Sequence, residues 1–314
     1  MSFHSGELAA QALAGVAQRS AGIRDFMPEQ HRTFFAALPH LFVATIDPAG
    51  WPLATLLQGE PGFVSSPDPR TLRIRSLPGA DDPACGTIRK NQQVGLLGID
   101  LATRRRNRAN GVVSGVDADA FTVAVQQSYG NCPQYIQRRN LSRAERARET
   151  VRTFESLDED ARGLIARADT FFVASRSRSG VGSAGGADIS HRGGRPGFVR
   201  VEGDVLSIPD FRGNRFFNTL GNLLGEPRSS LLFLDFETGD VLQLQGLASI
   251  DWSPSAAERF EGAERIWSFR VARGWFRPRA AALRGTFIDY SPVTLHTGTW
   301  KPVEMDTARS STVQ

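Results

Sequence analysis

Two arginine-rich clusters offer the clearest chemistry in this sequence of 314 residues. The first covers residues 190–200, and the second covers residues 211–215 at the start of a helix predicted over 214–224. Guanidinium groups and the free amides of a helix N-terminus are both typical ligands of phosphate. Only one predicted strand, 205–208, separates the clusters, so we interpret them as a phosphate site rather than as a solvated basic turn.

Two segments of the first half of the chain offer further side chains for a ligand. Residues 103–111 contain four arginines and end in Asn110-Gly111, which is a hairpin turn signal. This run is a solvated hairpin, a wall facing a cofactor or a nucleic-acid surface, although no aromatic residues are interleaved with it for base stacking. Residues 128–135 carry Tyr129 and Tyr135 among Gly, Asn and Pro, a composition that suits the edge of a planar ligand.

Several other candidates have an equally simple structural interpretation. Residues 180–185 match GxGxxG, but no helical period follows, so we interpret them as a loop. His191 is either an acid–base group or heme ligand, or a loop histidine without a function. Gln243 and Gln245 face one side of a predicted strand, where their amides read a heterocycle or pair structurally. Cys132 is interpreted as a buried small residue. Neither a metal site nor a catalytic acid or base can be assigned.

Composition restricts the class of protein. Hydrophobic residues make up 40% and charged residues 22% of the chain, as in globular enzymes. No run approaches the roughly 20 apolar residues of a membrane span, and a net charge of +4 gives only a weak field, so we expect no membrane and no nucleic-acid partner. Two cysteines and the lack of a signal-peptide pattern predict a cytoplasmic protein. Lysine occurs only at positions 90 and 301, which argues against Schiff-base chemistry.

The chain contains a diverged repeat. Residues 42–45 match 172–175 at an offset of 130, and residues 61–64 and 96–100 match 196–199 and 231–235 at an offset of 135. Because order and spacing are both kept, we infer a duplicated module of about 110 residues, an ordinary domain size.

Each module is predicted to be rich in strands, which are short apolar runs bounded by Gly, Pro and Asp. The predicted strands are 41–46, 71–75, 94–99, 121–126, 170–174, 198–201, 205–208, 231–236 and 241–250. Helices are predicted over 5–19, after capping boxes at 142–145 and 156–159, and from 255 toward 271. The expected fold is therefore mainly β with helices (α+β), with barrel-like modules at 1–137 and 169–300, a helical linker at 138–168 and a flexible tail at 301–314.

These motifs resemble the pyridoxamine 5′-phosphate oxidase-like FMN-binding split-barrel superfamily, in its tandem two-module form, over roughly residues 5–300. Residues 195–200 resemble its Arg-x4-Lys strand, with Arg200 in place of lysine, and residues 211–215 resemble its phosphate turn. Residues 226–233 and 241–246 resemble two further strands of that family. Glu60 and Ser65 stand at the positions of module one that match Arg195 and Arg200, so the resemblance implies one cofactor site per chain, in module two.

The resemblance implies an FMN-dependent oxidoreductase that holds the flavin between two barrels and acts on a small molecule, with a homodimer as its expected assembly. Phosphate ligands would come from module two, and module one would supply the opposing wall. The candidate cofactor-binding residues are Ser190, Arg195, Arg200, Ser207, Ile208, Arg212, Asn214, Arg215, Gln243, Arg106, Asn110 and Tyr129. The alternatives are deazaflavin F420, with residues 104–108 supplying extra cations, heme bound by His191, and a flavin-binding protein without catalysis.

Overall fold

Two antiparallel sheets and a short ribbon make up most of the protein. The computed structural model describes residues 3–16, 22–146, 149–178 and 185–300, so most of the glycine-rich motif and the predicted tail lie outside the described residues. The strands of the first sheet are β1 (His40–Ile46), β2 (Pro52–Gln58), β3 (Val64–Ser65), β4 (Thr71–Ile74), β5 (Gln93–Asp100), β6 (Arg105–Val116) and β7 (Phe121–Gly130). The strands of the ribbon are β8 (Arg138–Arg143) and β17 (Leu283–Asp289). The strands of the second sheet are β9 (Arg152–Phe154), β10 (Thr170–Arg176), β11 (Ala187–Gly193), β12 (Arg200–Glu202), β13 (Val205–Phe211), β14 (Arg228–Leu234), β15 (Val241–Asp251) and β16 (Ala263–Arg277).

The two sheets repeat one topology. The strand order is β2-β1-β5-β6-β7-β4-β3 in the first sheet and β11-β10-β14-β15-β16-β13-β12 in the second, with β9 added beside β16. Each strand of module one thus corresponds to the strand nine numbers later in module two. The mainly β fold with split-barrel modules, expected from the repeat, is confirmed.

Helices cover the ends and edges of the sheets. They are α1 (Ser5–Leu13), α2 (Glu29–Ala37), α3 (Glu159–Arg167), α4 (Asn218–Gly225) and α5 (Pro254–Ala257), with one 3-10 turn at Thr294–His296. Within the described residues no helix is long and apolar enough to cross a membrane. The helix predicted after residue 156 exists, but its N-cap is Asp158, whose carboxylate accepts from the Ala161 amide.

Three local predictions were wrong because tertiary pairing outweighed local signals. The predicted helical linker holds α3 but also two strands, and the capping box at Ser142 lies in β8, which pairs with β17. The predicted turn Asn110-Gly111 lies inside β6, where the ladder with β7 shifts register and forms an irregularity. The helix predicted from Ser255 ends at Ala257, and residues 263–277 form β16 because they pair with β13, β15 and β9.

The modules share one hydrophobic core between them in addition to the core inside each sheet. This shared core combines buried residues of β1 and β5 with buried residues of β10 and β14. At its centre the rings of Phe42 and Phe172, which are equivalent residues of the repeat, stack with centroids 3.4 Å apart. The modules are therefore packed face to face, and polar groups buried between them need partners within the protein.

One such polar cluster lies on the interface face that carries β15. Arg277 and Asp82 are both almost fully buried, and the guanidinium donates to the Asp82 carboxylate over 2.8 Å. Gln243 donates to the Ala54 carbonyl and to Asp82, and Gln245 donates to the Pro52 carbonyl. The two glutamines therefore do face one side, as expected, and they link module two to module one.

Removing the buried carboxylate of this cluster should destabilise the protein. We expect Asp82→Asn to lower the free energy of unfolding by about 3 kcal/mol, because it leaves the Arg277 charge buried with less compensation. Urea denaturation measures this loss. Asp81 contacts the same guanidinium but has an exposed side chain, so Asp81→Asn is the matched control and should cost less than about 1 kcal/mol. Equal losses in the two variants would contradict the assignment.

Candidate functional site

A cleft between the modules gathers the densest set of charged side chains. Strand β6 and the segment after β7 form its module-one wall, while β11, the end of β13 and the start of α4 form its module-two wall. The charged and polar side chains that line it include Arg106, Arg108, Asn131, Ser190, His191, Arg192, Asp210, Asn214, Arg215, Asn218, Glu264 and Arg265. Arg106 and Arg108 both reach this cleft because alternate residues of a strand face the same side.

Arg108 is the structural anchor of the cleft. Its guanidinium is buried and donates to both carboxylate oxygens of Asp188, over 2.9 and 3.1 Å. It also donates to the hydroxyls of Tyr129 and Ser190, over 2.9 and 2.7 Å. Burial raises the pKa of Tyr129, so that phenol stays neutral and accepts. The charge of Arg108 is therefore neutralised within the protein.

Arg106 is partly exposed at the cleft, and no carboxylate of the described residues pairs with it. Its Nε donates to the Cys132 carbonyl over 2.9 Å, and one terminal nitrogen lies 3.1 Å from Nδ1 of His191. Burial, followed by the neighbouring charges of Arg108 and Arg192, lowers the pKa of Arg106 to about 9. A guanidinium in this state is stabilised by an anion, and the described residues supply none to it.

His191 is held as a neutral donor. Burial lowers its pKa well below the usual value, and the charges of Arg106 and Arg192 add to this effect. A guanidinium can only donate, so Nδ1 of His191 accepts from Arg106 and the ring proton lies on Nε2. Nε2 is buried without a partner in the described structure, as are Nε of Arg192 and Oδ1 of Asn131. Buried groups of this kind are normally paired, so these three atoms could pair with polar groups of a ligand.

The arginines of the cleft outnumber its acidic groups. Asp210 accepts from Arg192 over 2.6 Å and also from Arg265, and Glu264 accepts from Arg215 over 3.4 Å. Five guanidinium groups, those of Arg106, Arg108, Arg192, Arg215 and Arg265, therefore face three carboxylates, those of Asp188, Asp210 and Glu264. The cleft carries an excess of two positive charges, which is the charge that a phosphate monoester neutralises.

The start of α4 adds a second feature suited to anions. Its first-turn residues Asn218, Thr219 and Leu220 line the cleft, and within the described part of the chain no side chain caps the helix. Just before it, Arg215 and Phe217 both have a φ of 62°, a left-handed conformation that is uncommon outside glycine. Strained backbone of this kind is concentrated at ligand sites.

The structure brings some of the sequence-predicted residues together and separates others. Arg106, Ser190, Asn214 and Arg215 line the cleft, and Tyr129 lies directly behind it. Asn110 lies in a small adjoining cavity and donates to Asp188. For this group, the prediction of a ligand site between the modules remains our proposal.

The other predicted residues lie outside the cleft. Arg195 donates to the Leu295 carbonyl, and Arg200 forms an ion pair with Glu202. Arg195 lies in the turn that joins β11 to β12 and Arg200 begins β12, and each arginine has a partner of its own. The remaining four are Ser207, opposite Arg200 in β13; Ile208, in the module-two core; Arg212, whose carbonyl accepts from Tyr135; and Gln243, in the interface cluster.

The list of candidate residues from the sequence does not include three arginines that line the cleft. Arg192 lies within the first cluster, and Arg108 lies two residues from Arg106 on what proves to be a strand, so strand alternation would have identified both. Arg265 left no signal because its segment was read as a helix.

The repeat provides an internal comparison for this cleft. By strand register, Gln243 of β15 is equivalent to Arg108 of β6, and Thr55 of β2 is equivalent to Ser190 of β11. At this second position the Asp82 carboxylate accepts from Thr55 over 2.6 Å, as well as from Gln243 and Arg277. On this face a carboxylate therefore accepts from Thr55, Gln243 and Arg277, although Nε of Arg277 has no partner among the described residues, whereas on the other face Arg106 has no carboxylate partner among them.

Comparisons with known proteins agree with the fold. Residues 27–154, about two fifths of the chain, match the family model described as pyridoxamine 5′-phosphate oxidase. That segment of module one is similar to this family, whereas the motifs that suggested the resemblance in the sequence lie mainly in module two. No match was found among curated proteins.

Solved structures with similarity to this chain are distant. A protein of Clostridium acetobutylicum related to general stress protein 26 is 12% identical, with a TM-score of 0.27, and the match covers 41% of this chain and 92% of that one. A FAD-binding protein of Mesorhizobium loti is 11% identical, with a TM-score of 0.28 and coverage of 41% and 99%. HutZ, the heme storage protein of Vibrio cholerae, is 15% identical, with a TM-score of 0.24 and coverage of 42% and 96%.

Two arginines on one strand should respond oppositely to removal in the protein without ligand. We expect Arg106→Leu to leave the free energy of unfolding within about 1 kcal/mol of the parent value or to raise it, because it removes an uncompensated charge. Arg108→Leu should lower the free energy of unfolding by about 3 kcal/mol or more, because the buried Asp188 carboxylate then has no cation to pair with. Urea denaturation in an anion-poor buffer measures both, and a large loss for Arg106→Leu would show that this guanidinium is paired.

Proposed function

We propose that the chain binds FMN in the cleft between its modules and uses it for electron or hydride transfer to a small molecule. The observation that carries the proposal is the guanidinium of Arg106, which has no carboxylate partner among the described residues. It lies in a cleft that has two positive charges in excess. A phosphate monoester carries about −1.5 to −2 charges near pH 7, which matches this excess.

The residues of the cleft suit both ends of FMN. Arg106, Arg192 and the first turn of α4 would hold the phosphate, because guanidinium forks and helix N-termini bind it by geometry as well as by charge. Aromatic side chains line the same cleft, including Tyr135 and Phe211, whose rings stack with centroids 5.1 Å apart. A flat isoalloxazine ring is compatible with such neighbours.

The flavin would supply the redox chemistry, and the protein would bind and orient it. His191 would donate its Nε2 proton to an acceptor atom of the ligand, because Arg106 fixes the opposite nitrogen as an acceptor. Arg108 and Asp188 would keep the wall rigid without contributing net charge.

The same contacts argue against the other cofactors considered. A heme ligand needs a free nitrogen lone pair, whereas in His191 the lone pair of Nδ1 accepts from Arg106 and Nε2 carries the proton. The longer acidic tail of F420 would need further cations. Arg104 is paired with Asp289 and Arg105 lies over the Phe34 ring, so neither lines the cleft.

Binding of FMN and of riboflavin distinguishes the proposed phosphate site from the clamp expected from the sequence. We expect Arg106→Leu to weaken FMN binding by about 10- to 100-fold, the value of one hydrogen bond to a charged group, and to change riboflavin binding little. Quenching of flavin fluorescence gives both dissociation constants. Arg195→Ala and Arg200→Ala are the control variants and should stay within about twofold of the parent.

The opposite pattern would overturn this placement of the site. If Arg195→Ala or Arg200→Ala weakens FMN binding while Arg106→Leu does not, the phosphate lies at the β11–β12 turn and not in the cleft. Redox function is tested separately, by adding NADH or NADPH to the FMN complex without air. Bleaching of the oxidised flavin band supports an oxidoreductase, and bound flavin that accepts no electrons from such donors supports a flavin-binding protein without catalysis.

A further inference from the structure

The N-terminal helix α1 forms part of the wall behind the cleft. It crosses α4 at Gly6 and Gly221, where a Cβ on Gly6 would lie 2.2 Å from the Gly221 carbonyl oxygen. Only glycine allows the two backbones to come this close, and the crossing places Glu7 beside the first turn of α4. This helix precedes residues 27–154, the segment that matches the family model.

Glu7 is a buried carboxyl group that no arginine or lysine contacts among the described residues, and the neighbouring His4 ring has its Nε2 3.8 Å from one carboxylate oxygen. Its side chain is almost fully buried, one oxygen accepts from the His4 amide over 2.9 Å, and the other accepts from the side-chain amide of Asn218. Burial is the main cause that raises the pKa of Glu7, to about 7. The group therefore changes charge near neutral pH.

Asn218 connects this carboxyl group to the cleft. It lines the cleft at the first position of α4, and its side-chain oxygen lies 3.4 Å from the Arg108 guanidinium, within reach of a weak hydrogen bond. The charge state of Glu7 can therefore act on the ligand through one side chain.

The other ionisable groups around Glu7 come from four elements. His4 belongs to the N-terminal turn of α1, Arg108 to β6 and Asp188 to β11, while Tyr129 of β7 adds a neutral phenol. Burial lowers the pKa of His4 below its usual value, so His4 is neutral near pH 7 and does not compensate Glu7. Residues of α4 at this contact, Asn218 and Asn222, do not titrate.

We propose that Glu7 is a positioning residue that couples anion binding in the cleft to the uptake of a proton by α1. Ionised Glu7 removes one of the two excess positive charges of the cleft and repels a bound phosphate. Protonated Glu7 leaves both excess charges available and still accepts from Asn218. The proposal rests on the proposed FMN site, because the phosphate is the anion that Glu7 would sense.

Linkage sets the sign of the expected effect. An anion in the cleft favours protonated Glu7, so protonation of Glu7 must favour the anion to the same extent. We expect the affinity of the parent protein for FMN to fall by roughly five- to tenfold as pH rises from 6.5 to 8.5. Riboflavin, which lacks the phosphate, should show no such fall.

The experiment compares dissociation constants of FMN across this pH range in three proteins. Glu7→Gln keeps the acceptor for Asn218 but cannot ionise, so its affinity should stay near the low-pH value of the parent throughout. His4→Asn removes the other ionisable group of α1 while keeping an N-cap side chain, and it should retain the parental pH dependence. The titration of the FMN phosphate itself, near pH 6, is common to all three proteins and cancels in the comparison.

Equal slopes in the parent and in Glu7→Gln would overturn the role of Glu7. A parent protein that binds no FMN at any pH would overturn the flavin site instead. In that case the same three proteins are compared by thermal shift with inorganic sulfate, whose charge is constant over this range. Stabilisation by sulfate that weakens with pH in the parent but not in Glu7→Gln supports the coupling, and identical profiles or no stabilisation in the parent overturn it.

Discussion

Every polar group buried between the two modules needs a partner, and this constraint organises the rest of the structure. Packing of equivalent strands, centred on the stacked rings of Phe42 and Phe172, removes both interface faces from water. A buried charge or amide without a partner costs several kcal/mol. The polar side chains that β6 and β15 place in the interface must therefore be paired with other groups. Arg108 and Gln243 occupy equivalent positions on these strands, but their side chains are paired with different kinds of partner.

The difference between the two faces defines the site. On the β15 face, the loop that carries Asp82 supplies a carboxylate to Thr55, Gln243 and Arg277. On the β6 face, helix α4 takes the place of that loop, and Arg106 remains without an anion. Natural proteins leave buried polar groups unpaired chiefly where a ligand completes the pairing, and for this reason we propose the β6 face as the functional one. A tandem chain can specialise its two faces in this way, whereas a symmetric dimer of one module would repeat the same face.

The sequence predicted the architecture better than the site. The repeat, nine strands and the presence of arginines at 190–200 followed from periodicity and spacing, since apolar alternation and turn residues are local signals. For the segment that forms β6, the sequence favours a hairpin because Asn110-Gly111 is a strong turn signal. Its position was decided by pairing with β5 and β7, which no local pattern encodes. In the same way, a helix is predicted over part of β16, so the sequence does not place Arg265 at the cleft.

The sequence could not predict which of the arginines is paired with a carboxylate of the protein. Arg106 and Arg108 are alike in type and lie two residues apart, but Asp188, which neutralises only Arg108, comes from the other module, 80 residues away. Which guanidinium is free for a ligand therefore depends on a long-range contact and not on the arginine itself. The same reasoning applies to Glu7, an ordinary helix residue in sequence that becomes a buried, titrating group only because two glycines let α1 and α4 cross in contact. The anion site that we propose therefore depends on an excess of positive charge in a packed interface and not on a linear motif.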